Sequence, residues 1–201
     1  MAKIIFPACF LCLMLCGCFW NSDYSAPRTF DLDPGGKTAV MLPCQVSFAI
    51  IRNISGADRR FFERHAGNRM VSDEFNRWSQ DPELMLERFF RSRIHGEGAK
   101  VVRVSCVIRT FEVDTVVRQV RLAVDFTLAC DGIRRSFSCD VQEKLPDDTA
   151  DRSTAVAAAM NKCASAVAGQ LEKNISEIIK MNLINYFLVL LKIVLIQNQK
   201  I

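Results

Sequence analysis

Val120 to Cys139 reads Val-Arg-Leu-Ala-Val-Asp-Phe-Thr-Leu-Ala-Cys-Asp-Gly-Ile-Arg-Arg-Ser-Phe-Ser-Cys. Val120, Leu122, Val124, Phe126 and Leu128 alternate with Arg121, Ala123, Asp125 and Thr127, the period of a strand with one buried face. Asp131-Gly132 is a strong two-residue hairpin turn. With those two residues as the loop, Cys130 faces Ile133, Leu128 faces Arg135, Phe126 faces Phe137 and Val124 faces Cys139. The apolar sets then share one face apart from Arg135, and a slip of one residue would turn the whole set over. Cys139 lies six residue steps from the level of Cys130, about 20 Å at ~3.3 Å per residue, which is beyond disulfide reach.

On the N-terminal side of this hairpin, Val101 to Val113 is β-branched and apolar on both faces, as a central strand should be. Before it, Asp81 can cap a helix with Pro82 at its first position and Glu83 at its positive end. Leu86, Phe89, Phe90 and Ile94 step by three and four, with Arg91, Arg93 and His95 in the last turn and Gly96 as the stop. On the C-terminal side, Leu145-Pro146-Asp147-Asp148 ends the hairpin, and Asp151 or Ser153 can cap a second long helix. Val156, Met160, Cys163, Val167, Leu171, Ile175 and Ile178 form its buried stripe, and six interspersed alanines let it lie close on a sheet. The expectation is an α+β fold, a mostly antiparallel β-sheet with two long amphipathic helices packed on it.

Farther upstream, Thr29 to Leu32 reads as a short edge strand stopped by Asp33-Pro34-Gly35-Gly36. Ala39 to Ile51 reads as a strand in which Pro43 marks an irregularity or an edge. Arg60 to His65 and Asn68 to Ser72, joined through Ala66-Gly67-Asn68, form a candidate hairpin.

The two ends differ from the middle. Ile4 to Cys16 is an uncharged run of about 13 residues behind Lys3, within the 7–15 of a signal-peptide core and short of the ~20 that cross a bilayer. It closes on Leu15-Cys16-Gly17-Cys18, which reads as a lipobox: cleavage between Gly17 and Cys18 would leave Cys18 carrying diacylglycerol and further acyl chains such as palmitate. Residues 1–17 are then a signal peptide and 18–28 a tether; the other reading is an ordinary secreted protein with a cysteine near its cleavage site. At the far end, residues 181–201 contain no Asp, Glu, Arg, Gly, Ala or Pro, although all 17 arginines lie at or before Arg152. This tail is read either as a membrane-seeking or partner-binding helix or as sequence joined by a reading-frame accident, the second being favoured. The domain is placed at 29–180.

Without residues 1–17 the chain has 25 Lys and Arg against 22 Asp and Glu, a balance that does not point to nucleic acid. Cys44, Cys106, Cys130, Cys139 and Cys163 remain after the signal and Cys18, an odd number that cannot pair completely within one chain and includes no CxxC or His/Cys cluster to suggest zinc, so most of them read as buried free thiols, with the pairing left open. A cysteine nucleophile would need a positioned base, and His65 and His95 sit in strand and helix-end settings. Asp147, Asp148 and Asp151 read as a loop and a cap, not as a calcium loop. No glycine-rich phosphate loop occurs, and no cofactor is implied.

The lipobox, the Phe30-Asp31-Leu32-Asp33-Pro34 segment, Arg77-Trp78 ahead of an amphipathic helix, the hairpin and the alanine-rich last helix together resemble the ABC-type transport auxiliary lipoproteins. The nearest stretch runs from Asp58-Arg59-Arg60-Phe61-Phe62-Glu63-Arg64 to Asn76-Arg77-Trp78-Ser79-Gln80-Asp81-Pro82, and the resemblance covers roughly residues 18–180. It implies a non-catalytic membrane-anchored component of an ABC/MCE-type lipid transporter, partnered by an MCE-domain substrate-binding protein and an ABC permease and ATPase, with phospholipid as a further contact and homo-oligomerisation open. Arg77-Trp78 is its best local mark: the indole is expected to pack into the core, with contact to a partner or lipid as the second reading. Phe19, in place of an aspartate after Cys18, points to the periplasmic face of the outer membrane. The alternative class is a lipoprotein scaffold or regulator of cell-wall machinery.

Overall fold

A computed structural model describes residues 26–33, 39–147 and 150–198. The elements are β1 (Arg28–Phe30), β2 (Val40–Leu42), β3 (Gln45–Asn53), β4 (Arg60–Arg64), β5 (Met70–Trp78), α1 (Pro82–Arg93), β6 (Ile94–Gly96), β7 (Val101–Asp114), β8 (Gln119–Cys130), β9 (Ile133–Lys144) and α2 (Arg152–Asn198). Cys18 and nearly all of the tether lie outside the described residues.

The hairpin read from Val120 to Cys139 forms in the expected register, with Cys130 opposite Ile133, Phe126 opposite Phe137 and Val124 opposite Cys139. Asp131 and Gly132 have φ of 46° and 81°, the pair of positive values that a type I′ turn needs. Arg135, the exception on the apolar face, has a reason. β9 is an edge strand, and from that edge the Arg135 guanidinium reaches Glu177 of α2 at 2.6 Å. Lys162 of α2 meets Glu143 of β9 in the same way, at 2.7 Å.

The fold is α+β, with one seven-stranded sheet in the order β1-β5-β4-β7-β8-β9 and β3 paired to β7. The long ladders β7–β8 and β8–β9 are antiparallel, but β3–β7, β4–β7 and β1–β5 are parallel, so the sheet is mixed. Connectivity permits the parallel pairing of β3 with β7: the chain leaves β3, makes β4, β5, α1 and β6, and returns as β7, the long crossover that neighbouring parallel strands need. β3 and β4 share the same edge of β7, β3 along Val101–Ile108 and β4 at Val113 and Asp114. α1 packs on β3, and α2 packs on β8 and β9. Between sheet and helices lie Val104, Cys106, Ile108, Leu122, Val124, Phe126 and Leu128 from the strands and Leu86, Phe89, Phe90, Met160, Val167 and Leu171 from the helices, all buried.

Several local expectations change. Ala39–Ile51 is two strands, because Pro43 and Cys44 break it: β2 leaves the main sheet and pairs parallel with β6. Helix α1 stops at Arg93, and Ile94, His95 and Gly96 are strand β6. Gly96 is required there by packing, since a Cβ on it would stand 1.9 Å from the Cys44 carbonyl oxygen. Asp81 occupies the N-cap position of α1, but its side chain makes no cap hydrogen bond; its carbonyl accepts from Leu84 and Met85. The β4–β5 hairpin forms through a turn with φ of 71° at Gly67 and 60° at Asn68. β5 runs on to Trp78, with an irregularity in register between Arg60 and Phe62 of β4. The tether ends at Pro27, because Arg28 is already in β1 and donates to both carboxylate oxygens of Asp151, at 2.9 and 2.6 Å. Asp151 caps α2, accepting from the Thr154 N–H at 3.2 Å, and the Arg28 guanidinium holds its carboxyl below the usual carboxylate range.

Helix α2 does not stop at residue 180 but continues without a break to Asn198. Among the described residues no helix is long and apolar enough to cross a membrane.

Candidate functional site

Strand alternation separates the two residues that mark the site. On β5, Trp78 points inward and is 1% exposed, its ring 4.5 Å from Phe61 and 5.3 Å from Phe111. Phe30 of β1 joins the stack at 5.3 Å from Phe61. The indole is therefore core, and any partner contact through Trp78 itself is closed off by this packing. Arg77 points the other way and is exposed, and its guanidinium has no hydrogen-bonding or ionic partner among the described residues.

Around Arg77 lies an open hollow of about 560 Å³ at the end of the sheet where the tether enters. Its walls come from β1 and the last tether residue (Thr29, Pro27), from the start of β4 and from the β5–α1 junction. Backbone bonds lock these pieces together: the Trp78 N–H donates to the Arg59 carbonyl at 2.5 Å, and the Ser79 N–H donates to the Phe30 carbonyl at 2.6 Å.

Three guanidinium groups and two carboxylates line the hollow. Arg60 donates from Nη2 and Nε to Asp58 at 2.5 and 2.9 Å, and this pairing lowers the Asp58 carboxyl below its ordinary value while raising Arg60. Arg59 spends one nitrogen on the Ser79 carbonyl at 2.8 Å. Arg77 and Asp81 complete the wall. Counting Arg59, Arg60 and Arg77 against Asp58 and Asp81 leaves one positive charge, carried by a planar donor fork that suits a carboxylate or phosphate.

Sequence reading singled out Arg77 and Trp78 and passed over Asp58, Arg59, Arg60 and Asp81 as site residues. Their signal was present in the resemblance itself: Asp58–Arg64 and Asn76–Pro82, quoted for likeness alone, meet in space at this hollow. Cys18, the proposed lipidation site, lies outside the described residues. His65 pairs with Glu63 at 3.2 Å, and His95 is exposed on β6. Cys44, Cys106, Cys130, Cys139 and Cys163 are all free and buried. Burial raises the thiols of Cys106 and Cys163 to about 12 and that of Cys139 to about 11. Among the described residues no group of three or more His, Cys, Asp or Glu side chains is arranged to hold a metal ion.

No family model matches the chain, and no curated protein matches it. Among solved structures it is similar to the crystal structure of an uncharacterized protein, with a TM-score of 0.56 and 11% identity over 77% of this chain and 99% of that one. It is also similar to a Xanthomonas campestris protein assigned to DUF330, with a TM-score of 0.48 and 19% identity over 73% of this chain and 91% of that one. At 11% identity, the first likeness is one of fold.

Proposed function

We propose that the chain is a non-catalytic, membrane-anchored lipoprotein component of an ABC/MCE-type transporter, aiding lipid trafficking across the periplasm. Cys18 carries the lipid, residues 19–27 are the tether, and the α+β domain presents the Arg77 hollow to a partner. The observation that carries this reading is the convergence of Asp58–Arg60 and Arg77–Asp81, the segments that resemble the auxiliary lipoproteins, on one exposed cationic hollow beside the tether root. A hollow in that place faces whatever stands next to the membrane, and its free guanidinium suits an acidic patch on a partner protein. The lining offers donors and acceptors for recognition.

The experiment is capture of the full-length protein from detergent-solubilised native membranes, followed by mass spectrometry of proteins and lipids. Recovery of an MCE-domain protein or an ABC permease is the expected result, with retained phospholipid naming the cargo class. Recovery of peptidoglycan synthases without transporter components would replace this reading with that of a cell-wall scaffold.

A further inference from the structure

The face of the sheet turned away from the helices carries one row that is in register across three strands. Arg103 of β7 lies opposite Ala129 of β8, and Ala129 lies opposite Arg134 of β9. Ser105 and Thr127 belong to the next row on that face. Paired residues point to the same side of a sheet, so Arg103 and Arg134 stand two strand spacings apart, about 10 Å between Cα atoms, with a single methyl group between them. Together these residues line an open hollow of about 590 Å³ that Ala49 of β3 extends and the β8–β9 turn rims. It shares no residue with the hollow around Arg77.

Other arginines on this face have carboxylates. Arg109 binds Asp125 at 2.9 Å, and Arg121 lies 3.7 Å from Glu112 and from Asp140. The guanidinium groups of Arg103 and Arg134 have no hydrogen-bonding or ionic partner among the described residues, and neither has the Ser105 hydroxyl. Thr127 shares a hydrogen with Ser136 at 3.1 Å. The carboxylate on the rim, Asp131, is engaged elsewhere: its Oδ2 accepts from the Asn182 amide at 3.1 Å and lies 3.6 Å from Lys100 Nζ. Arg103, Arg134 and Lys100 against Asp131 leave two net positive charges around the hollow.

An anion seated over Ala129 would offset the repulsion between the two guanidinium groups, and the donors say which anion fits. A planar carboxylate is satisfied by one arginine fork, whereas a tetrahedral phosphate offers oxygens to forks on opposite sides and to hydroxyls beneath. The volume falls within the ~300–1,000 Å³ of small-ligand sites, so the phosphate has room to carry an organic group. We infer that this hollow binds a phosphate group, held from the two sides by Arg103 and Arg134 and from the floor by the Ser105 and Thr127 hydroxyls. The inference does not depend on the transporter reading, because a phospholipid headgroup and free phosphate both supply this chemistry.

Its test is calorimetric titration of the full chain, in a phosphate-free non-ionic detergent, with inorganic phosphate, with acetate and with dihexanoylphosphatidylglycerol. Phosphate should bind, and Arg103→Gln or Arg134→Gln should weaken it roughly tenfold or more, as loss of a charge-assisted hydrogen bond implies. Ala129→Leu, which keeps both charges and fills the gap between them, should weaken it as much. Lys144→Gln, which removes a charge from the far end of β9, should change it by less than about twofold, because distant sites act independently. Displacement of phosphate by the short-chain lipid would support the site and name a headgroup as its ligand; phosphate binding that the lipid leaves untouched would support it with free phosphate as the ligand. Absence of phosphate binding would overturn the inference. Binding that survives Ala129→Leu and the paired arginine substitutions would also overturn it, leaving attraction to a basic surface, and acetate competing as well as phosphate would replace phosphate with a carboxylate.

Discussion

Gly96 shows how a single atom can fix a backbone path. A Cβ there meets the Cys44 carbonyl oxygen at 1.9 Å and the Leu42 carbonyl oxygen at 3.3 Å, and both neighbours are backbone that cannot rotate away. Gly96→Ala should therefore force β2 and β6 apart and destabilise the domain by ~1–3 kcal/mol or more; an unchanged denaturant midpoint would refute that packing argument. The buried thiols set a second expectation. Burial holds Cys106 and Cys163 near 12 and Cys139 near 11, above the ordinary 9.0. Below pH of about 9 folded and unfolded chains both keep these protons. Above it the unfolded chain releases them and the native state does not, so stability present at neutral pH is lost as pH rises toward 12. Denaturant midpoints measured from pH 8 to 11 should fall more steeply for the native sequence than for a chain carrying Cys106→Ala and Cys163→Ala. Equal slopes would remove the thiols from the account, as would rapid alkylation of the native protein at pH 8.

Elements whose pattern is local were legible, and those whose partners lie far along the chain were not. Alternation and Asp131-Gly132 set the β8–β9 register because the turn itself carries it, down to Arg135 as the one polar residue facing the helices between Ile133 and Cys139. The stripe from Val156 to Ile178 identified α2 for the same reason, since helix spacing needs no distant partner. By contrast, Pro43 announced an irregularity without saying that β2 would swing away to a parallel pairing with β6. Ile94 continued the helical spacing of Phe90, yet it is β6 because Val40 of β2 stands beside it. The end of α2 was harder still, since composition changes at residue 181 while the helix does not. Among the described residues its buried face ends at Asn182, so removing residues 183–201 should leave the thermal midpoint of the domain within a few degrees. Asn182→Ala in the full chain should cost on the order of 1 kcal/mol, through loss of the amide's bonds to the β8–β9 turn. Collapse of the transition on truncation would mean that the projecting turns support the core.

At the scale of the whole molecule, the hollow and the buried aromatic stack share β5, and this lets recognition be separated from stability. Trp78, Phe61 and Phe111 hold β4, β5 and β7 together, so any substitution of Trp78 confounds folding with binding. That is why the Arg77-Trp78 pair was ambiguous as sequence: one residue belongs to the core and its neighbour to the surface, and only the facing of β5 distinguishes them. The Arg77 guanidinium is exposed, has no partner among the described residues, and stands beside Arg59 and the Asp58–Arg60 pair. Arg77→Glu changes the hollow from one net positive charge to one net negative charge without removing a packed atom or a bond within the domain. Its thermal midpoint should match that of the native chain within the ±0.5 kcal/mol usual for surface substitutions. Capture of a partner that docks an acidic patch here should fall by roughly tenfold or more, because like charges across an interface cost several kcal/mol. Arg77→Lys, which keeps the charge but loses the planar fork, should be intermediate. If Arg77→Glu captures the same partner in the same amount while remaining folded, the hollow is not the docking site, and the contact must be sought on another face of the sheet.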